Sequence, residues 1–443
     1  MISPPLRVKL SFSLLAFIYS FATGLPLGLI VLFVQGRGIS LLEVGVLLAV
    51  QSGAVVVLEL PTGGLADVWG RKKVLVLSFS AGAACMAVAL VSTSFLGFAI
   101  AMLLSGLSRA LLSGAAEALL VDSLREVAPE ANLQQAFAQV WIAAALGVGL
   151  GALAGGFIPG WFAGLPPDGP AVFTRLSMPL VFSLAIWLVL VVAASLLLRD
   201  PLATATSAAS GGARAIAAVV RQAVTFGLRN RLVAVLIAAA SLTALAFSGI
   251  EAFWQPHFAR LLDSGTAQTR LFGALAATTF VLSALGSALG APLSKLARGR
   301  HGLVSAFAAA LSGGAAILLA RQAGLRGAVA GFWAVYLLSG LAGPVFQALF
   351  NDAIPADKRA TLISFLTLCM RAGVLAGGLG LGYLASHFSI PAAWIASGCV
   401  AFATVPLYWY AESLRPHPAA ASAEAVPAAS ISPPSSAESI GLP

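Results

Sequence analysis

Charged residues are scarce in this chain. Asp, Glu, Lys and Arg make up 9% of its 443 residues, whereas a soluble domain has about 25%. Hydrophobic residues make up 59%, and the mean hydropathy is +0.97. Such a composition excludes a water-soluble globular protein. The net charge of +9 comes from cations spread singly along the ends of apolar runs, so it does not indicate a nucleic-acid partner.

The sequence also lacks motifs for enzymatic chemistry. It has no Gly-x-x-x-x-Gly-Lys-Ser/Thr loop for phosphate binding, which argues against an ATP-driven pump. Its three cysteines lie inside apolar segments and its four histidines are dispersed, without the spacing of metal ligands. We therefore expect no enzymatic activity, no cofactor and no metal site.

Long apolar runs are abundant. A membrane-spanning helix needs about 20 mostly apolar residues, and twelve such segments follow one another. Two runs are too long for one helix and are expected to break at Ser92-Thr93-Ser94 and at Ile390-Pro391. The predicted spans are 10–34, 42–65, 74–93, 97–122, 134–158, 177–198, 232–254, 270–294, 302–320, 327–352, 360–386 and 391–411.

Lys and Arg are distributed unevenly between the two sides of these spans. Of the 25 such residues, 17 lie on the side that holds both termini and six on the other, while Arg109 and Arg371 fall inside spans. Cytoplasmic loops contain the excess of Lys and Arg. We therefore predict a multi-pass protein of the cell (inner) membrane with both termini in the cytoplasm.

The chain repeats itself at half length. The sequence Glu-Ala-Leu-Leu-Val-Asp at 117–122 returns as Gln-Ala-Leu-Phe-Asn-Asp at 347–352. A second alignment places Ser287 opposite Glu59, so the second copy has lost that acid. Two six-helix halves, one of them specialised, are the simplest explanation.

The fold that we predict is an all-α integral membrane protein with twelve transmembrane helices in two pseudo-symmetric six-helix bundles. Residues 1–198 form the N-terminal bundle and residues 232–412 the C-terminal bundle. Residues 199–231 form a cytoplasmic linker with either an interfacial helix or a plain solvated segment. Residues 413–443 are too poor in core-forming side chains to fold, and we expect a disordered cytoplasmic tail.

The segment between spans 2 and 3 is Gly63-x-Leu65-Ala66-Asp67-x-Trp69-Gly70-Arg71-Lys72-Lys73. We predict a tight glycine-bearing turn here, followed by a loop with three cations. The segment resembles the cytoplasmic signature loop of the major facilitator superfamily of transporters, although Val68 replaces a basic residue. The resemblance implies two halves that rock around a midplane site. It makes seven residues candidates for gating: Gly63, Leu65, Asp67, Gly70, Arg71, Lys72 and Lys73.

Span 5 has small residues at four-residue spacing, which lets helices approach closely. The run resembles the antiporter signature of drug-exporting branches of the family, with Ala152 at the position of the family's proline. Span 4 likewise resembles bacterial efflux-type members. The resemblance implies proton-coupled export, and simple helix packing is the alternative explanation of the glycines, which are Gly147, Gly151, Gly155 and Gly156.

Few ionisable groups lie inside the predicted spans, where a charge is costly and therefore informative. We predict that Glu117, with Arg109 two turns away in span 4, couples proton movement to transport. Glu59 and Glu251 are the reserve candidates, and a purely structural role is the alternative for each acid. Two tryptophans on spans expected to line a cavity are weaker candidates for substrate contact, Trp254 and Trp333.

These patterns predict a secondary active transporter that works by alternating access and exports small organic molecules, such as drugs or metabolites, in a proton-coupled manner. Proton-coupled uptake is the alternative within the class. A non-transporting membrane sensor or assembly factor with the same fold is the alternative from another class. The expected partners are the substrate, protons and membrane lipid, without nucleic acid, and we expect a monomer.

Single-cysteine labelling in a variant without the three native cysteines tests the predicted orientation. Cysteines at positions 72, 205 and 420 should react only from the cytoplasm, and a cysteine at position 165 only from outside, because the Lys and Arg excess sets the topology. Labelling of position 165 from the cytoplasm alone would show that the orientation is wrong.

Overall fold

The computed structural model of the chain describes residues 3–198, 225–227, 229–262, 265–355 and 358–415. Within these ranges thirteen α-helices are defined and no strand is present. Twelve of the helices are long and apolar enough to cross a membrane, which confirms the predicted number of spans. Most of the predicted linker and tail lies outside the described residues.

The helices are α1 Pro4–Gly24, α2 Ile30–Gly36, α3 Leu41–Trp69, α4 Arg71–Val91, α5 Phe95–Val127, α6 Leu133–Trp161, α7 Met178–Leu197, α8 Arg231–Arg260, α9 Thr266–Leu296, α10 His301–Ala320, α11 Leu325–Ala353, α12 Arg359–His387 and α13 Ile390–Ser413.

The helices form two groups. Helices α1 to α7 pack among themselves, as do α8 to α13, and the groups are joined mainly by α3 against α12 and by α6 against α9. Each group has an apolar core of its own, with Phe79 and Trp187 buried in the first and Leu349 and Phe350 in the second. The arrangement is the predicted pair of six-helix bundles. Successive spans alternate in direction, so the start of α1 and the end of α13 lie at one end of the bundle, and we call the other end distal.

The first span is broken, whereas a continuous helix was predicted. Residues 25–29 separate α1 from α2 and include Pro26, which cannot donate a backbone hydrogen bond. Gln255 of α8 satisfies two backbone groups at the break: Val31 N donates to its Oε1 at 2.9 Å, and its Nε2 donates to the carbonyl oxygen of Leu27 at 2.8 Å. The Gln255 residue is 2% exposed. The amide therefore supplies hydrogen bonds that lipid cannot offer.

The turn predicted at Gly63–Asp67 is helical instead. Helix α3 continues to Trp69, and a single residue, Gly70, separates it from α4. Gly70 has a φ of 92°, which a residue with a Cβ adopts only with strain. The three cations at 71–73 accordingly form the first turn of α4, not a loop.

Arginines fasten equivalent positions of the two repeats. In the first half, Arg71 at the start of α4 forms an ion pair with Asp122 of α5. In the second half, the repeat-related Asp352 of α11 pairs with Arg415, with Nη2 and Oδ2 3.1 Å apart. The two arginines are not repeat-related, since Arg71 begins α4 and Arg415 follows α13. The two halves therefore form equivalent ion pairs with arginines from different positions.

Arg37 connects three segments at the distal end. Its guanidinium donates to the carbonyl oxygens of Leu90, Ser92 and Ala171 at 3.1, 2.6 and 2.9 Å, and it lies over the Phe33 ring at 4.6 Å. Burial lowers the pKa of Arg37 from its ordinary value. An arginine starts so far above neutral pH that the group keeps its charge.

Gln255→Leu tests the role of the buried amide at the broken span. The change leaves one N–H and one carbonyl unpaired, at a cost of about 1–3 kcal/mol each, and should lower the midpoint of thermal unfolding in detergent. Gln347→Leu is the matched control, because Gln347 is exposed on α11. Equal destabilisation by the two changes would contradict the role.

Candidate functional site

Glycines bring the two halves into close contact at the distal end. Gly156 of α6 faces Gly273 of α9, and a Cβ added to either would lie 2.7 Å from the Cα of the other. Gly45 of α3 faces the backbone of Gly378 of α12 in a similar way. Any larger side chain would force the helices apart at these points. The distal portions of the four joining helices are therefore closed against each other.

Electrostatic interactions link four charged side chains, two from each half, deeper in the bundle. Arg371 of α12 interacts electrostatically with Arg109 of α5, Glu59 of α3 and Glu251 of α8, and Glu251 interacts with both arginines. At about 1.5 Å per residue, Glu251 lies about 14 Å and Glu59 about 27 Å from the distal ends of their helices. We call these four residues the central charge cluster.

Glu251 faces the space between the halves. Its residue is exposed, whereas the next seven, 252–258, are buried, and its charge reaches Arg109 in the other half. Tyr336 of α11 also interacts with Glu251, and the Tyr336 ring packs edge-on against Phe247 at 5.2 Å. An exposed acid faced by two guanidinium groups can exchange a proton with water that enters this space.

Glu117 does not belong to the central charge cluster. It lines a separate cavity of about 230 Å³ inside the first half, between α1, α4, α5 and α6. Among the described residues it has no hydrogen bond and no ion pair. Arg109, expected two turns away on the same helix, is engaged with Glu251 and Arg371 instead. Arg109 also interacts electrostatically with Tyr19, which lines the Glu117 cavity, whereas burial alone, among the described residues, affects Glu117.

The span-5 glycines face two different helices. Three of them pack on α1, where an added Cβ would collide with backbone carbonyl oxygens, and one packs on α9 in the other half. The helix face that binds α1 stabilises the first half, and the neighbouring face joins the halves. The three on α1 are Gly147, Gly151 and Gly155, and the one on α9 is Gly156.

The gating candidates lie where α3 meets α4. Helix α3 includes three of them in its last two turns, Gly70 follows, and α4 begins with the three cations. The Arg71 guanidinium donates to the carbonyl oxygen of Ala118 at 2.9 Å and pairs with Asp122. Arg71 therefore ties α4 to α5 within one half. The three candidates in α3 are Gly63, Leu65 and Asp67.

The two candidate tryptophans differ in their surroundings. Trp254 is 4% exposed, and its ring packs against Phe272 and Phe332 with centroids 5.7 and 5.2 Å apart. Its burial favours a packing role over contact with a substrate. Trp333 is 39% exposed, and its Nε1 donates to Thr278 Oγ1 at 3.0 Å.

Sequence reasoning missed the partners of Arg371 and the role of Gln255. Arg371 has no acid near it in the sequence, because the acids that face it lie on α3 and α8. The signal for Gln255 was a polar amide beside Pro256 in an otherwise apolar span. The sequence does not show which helices the side chains of Arg371 and Gln255 face.

A double-mutant cycle tests the central charge cluster. Arg371→Gln and Glu251→Gln should each lower the thermal stability of the protein in detergent, because each removes one of the opposite charges that stabilise the other group. The double variant should be more stable than the sum of the single effects predicts, by about 0.5–3 kcal/mol. Glu130, exposed between α5 and α6, is the control, and Glu130→Gln should add to Arg371→Gln without coupling. Additive effects for the Glu251 pair would show that the two charges do not interact.

Comparison with known proteins gives a family and a fold. Residues 12–343 match the family model described as Major Facilitator Superfamily, and no curated protein matches the chain. The solved nucleoside transporter NupG is similar at a TM-score of 0.73 and 16% identity, over 92% of this chain and 98% of that one. The human organic anion transporter MFSD10 (TETRAN) has a TM-score of 0.60 at 18% identity, over 92% and 100%. A bacterial homolog to the human lysosomal transporter Spinster, inward-facing and occupied, has 0.65 at 15%, over 92% and 95%.

Proposed function

The chain belongs to the major facilitator superfamily, and from that membership we propose that it couples the export of small organic molecules to the movement of protons. Membership supports the coarser function, which is secondary transport of small molecules by a multi-pass membrane protein. Proton coupling, direction and the residues that perform the coupling are the parts that we propose.

The central charge cluster is the observation that supports proton coupling. Each half contributes one acid and one arginine, and interactions cross between the halves, from Arg109 to Glu251 and from Glu59 to Arg371. A charge in the middle of a span costs about 2.5–3.5 kcal/mol on insertion scales. Four such groups at the junction of two moving halves therefore mark a functional site.

We place the coupling step at Glu251, ahead of Glu117 and Glu59. When Glu251 is ionised, its attraction to Arg109 opposes separation of the halves at this level. Protonation removes that attraction and makes separation easier. Because the halves open to one side of the membrane at a time, the proton binds from one side and leaves to the other. Proton movement then becomes linked to the change of access.

Export is the direction that we propose, on the resemblance of the span-5 glycines and of span 4 to exporting members of the family. The central charge cluster would serve uptake equally well. We also propose that the protein acts as a monomer in the inner membrane with both termini in the cytoplasm. The junction of α3 and α4, which includes Asp67 and Gly70, is proposed to respond when the terminus-bearing ends of the halves separate.

Transport itself and its direction are tested with a panel of small organic compounds. Cells with and without the gene are compared for susceptibility and for intracellular accumulation of each compound. Lower accumulation with the gene supports export, and higher accumulation would replace export by uptake. If no compound in the panel is moved and the central acids can all be neutralised without consequence, the non-transporting alternative gains.

Coupling is tested with the wild type and single variants reconstituted in vesicles, using a compound identified by the panel. Glu251→Gln should reduce substrate-driven proton movement about tenfold or more, because the carboxyl that exchanges the proton is gone, while the substrate still binds. Glu130→Gln is the matched control and should behave as wild type. Loss of coupling in Glu117→Gln but not in Glu251→Gln would return the role to the acid that the sequence favoured.

A further inference from the structure

The cavity around Glu117 combines a carboxylate with several aromatic side chains in its lining. It lies between α1, α4, α5 and α6, has a volume of about 230 Å³, and Glu117 is the one charged residue among the described residues that line it. Five aromatic side chains share the lining: Phe12, Tyr19, Phe79, Phe137 and Trp141. The carboxylate has no hydrogen bond or ion pair among the described residues.

The second half has a related cavity whose described lining residues have no charge. It measures about 220 Å³, lies between α8, α10, α11 and α13, and its lining consists of apolar and hydroxyl-bearing residues. The repeat relates the two linings, since Ser113 and Ala116 of the first correspond to Gly343 and Phe346 of the second. The repeat position of Glu117 is occupied by Gln347. Gln347 is not among the described residues that line the second cavity, and the carboxylate therefore distinguishes the first cavity from the second.

We propose that the Glu117 cavity is a binding site for small amphiphilic cations, such as aryl- or alkylammonium compounds. The carboxylate offers the opposite charge, and the faces of aromatic rings attract ammonium groups. The apolar remainder of the cavity favours a hydrophobic body on the same molecule. An anion of similar shape would be repelled.

Arg109 sets the orientation of the cation in this cavity. Tyr19, which lines the cavity, interacts electrostatically with Arg109, so positive charge is disfavoured near Tyr19. The ammonium group accordingly binds beside Glu117 and the apolar body points toward Tyr19. As a substrate site the inference rests on the proposed transport function, but the binding of cations can be measured without transport.

Calorimetry on the purified protein in detergent tests the site, with benzyltrimethylammonium as the probe. Benzyl alcohol and benzoate serve as neutral and anionic comparisons with the same ring. The wild type should bind the cation at least about tenfold more tightly than either comparison, and Glu117→Gln should lose about tenfold or more in affinity for the cation only. Glu117→Asp should keep part of the preference, and Glu130→Gln all of it. Equal binding of the cation by wild type and Glu117→Gln would overturn the proposal.

Trp141 provides a second readout that depends on position. The cation should change the intrinsic fluorescence of the wild type, and Trp141→Phe should lose most of that change while calorimetric affinity falls no more than about threefold. A fluorescence change that survives intact in Trp141→Phe would place the cation elsewhere. Gel filtration shows whether each variant is folded. If Glu117→Gln does not fold, the cation affinity of Glu117→Asp tests the site instead.

The failure of this site and the failure of the proposed function can be told apart. Glu251→Gln should bind benzyltrimethylammonium as the wild type does and still lose proton coupling. Cation binding that depends on Glu117 in a protein that moves no compound would keep the site and reject transport. Proton-coupled transport in a protein whose Glu117→Gln variant binds the cation normally would keep transport and reject the site.

Discussion

Inside a bilayer every backbone N–H and C=O needs a partner from the protein itself, because lipid offers none. The rest of this structure depends on that constraint. Twelve long helices satisfy it within each span, and the first span, broken at Pro26, satisfies it through the Gln255 amide of the other half. The backbone groups at the break need hydrogen bonds, and a side chain of the other half provides them. The glycine pairs at the distal end then let the helices approach closely enough to hold that contact.

Charged side chains in the spans also need partners from the protein. The ion pairs between helix ends, such as Arg71 with Asp122, lie at the ends of spans, whereas the central charge cluster lies in the inner part of the helices. There each half presents one acid and one arginine to the other, so part of the charge compensation is lost when the halves separate. In the mechanism that we propose, such an arrangement makes the separation of the halves sensitive to the protonation of Glu251. A cluster confined to one half would stabilise that half without any such sensitivity.

The two halves share a fold and differ in chemistry. Both contain a cavity of similar size, built in part from repeat-related helices, but among the described lining residues only the first cavity has a carboxylate. Glu59 of the first half corresponds to Ser287 of the second. The second half contributes Glu251 and Arg371 from helices whose repeat counterparts lack these groups. The repeat therefore supplies the geometry, and single substitutions within it supply the functional groups.

Hydropathy along the chain determined the twelve spans and the breaks near residues 93 and 390, because each of these depends on neighbouring residues alone. The two halves followed from the repeat of 117–122 at 347–352. The sequence also marked Glu59, Arg109, Glu117 and Glu251 as ionisable groups in apolar surroundings. It could not show that Arg109 faces Glu251 and Arg371 while Glu117 lies in a cavity of its own, or that α3 continues through Gly63 to Trp69. Which side chains meet depends on how each helix is rotated and packed against helices hundreds of residues away. Only the tertiary structure decides that.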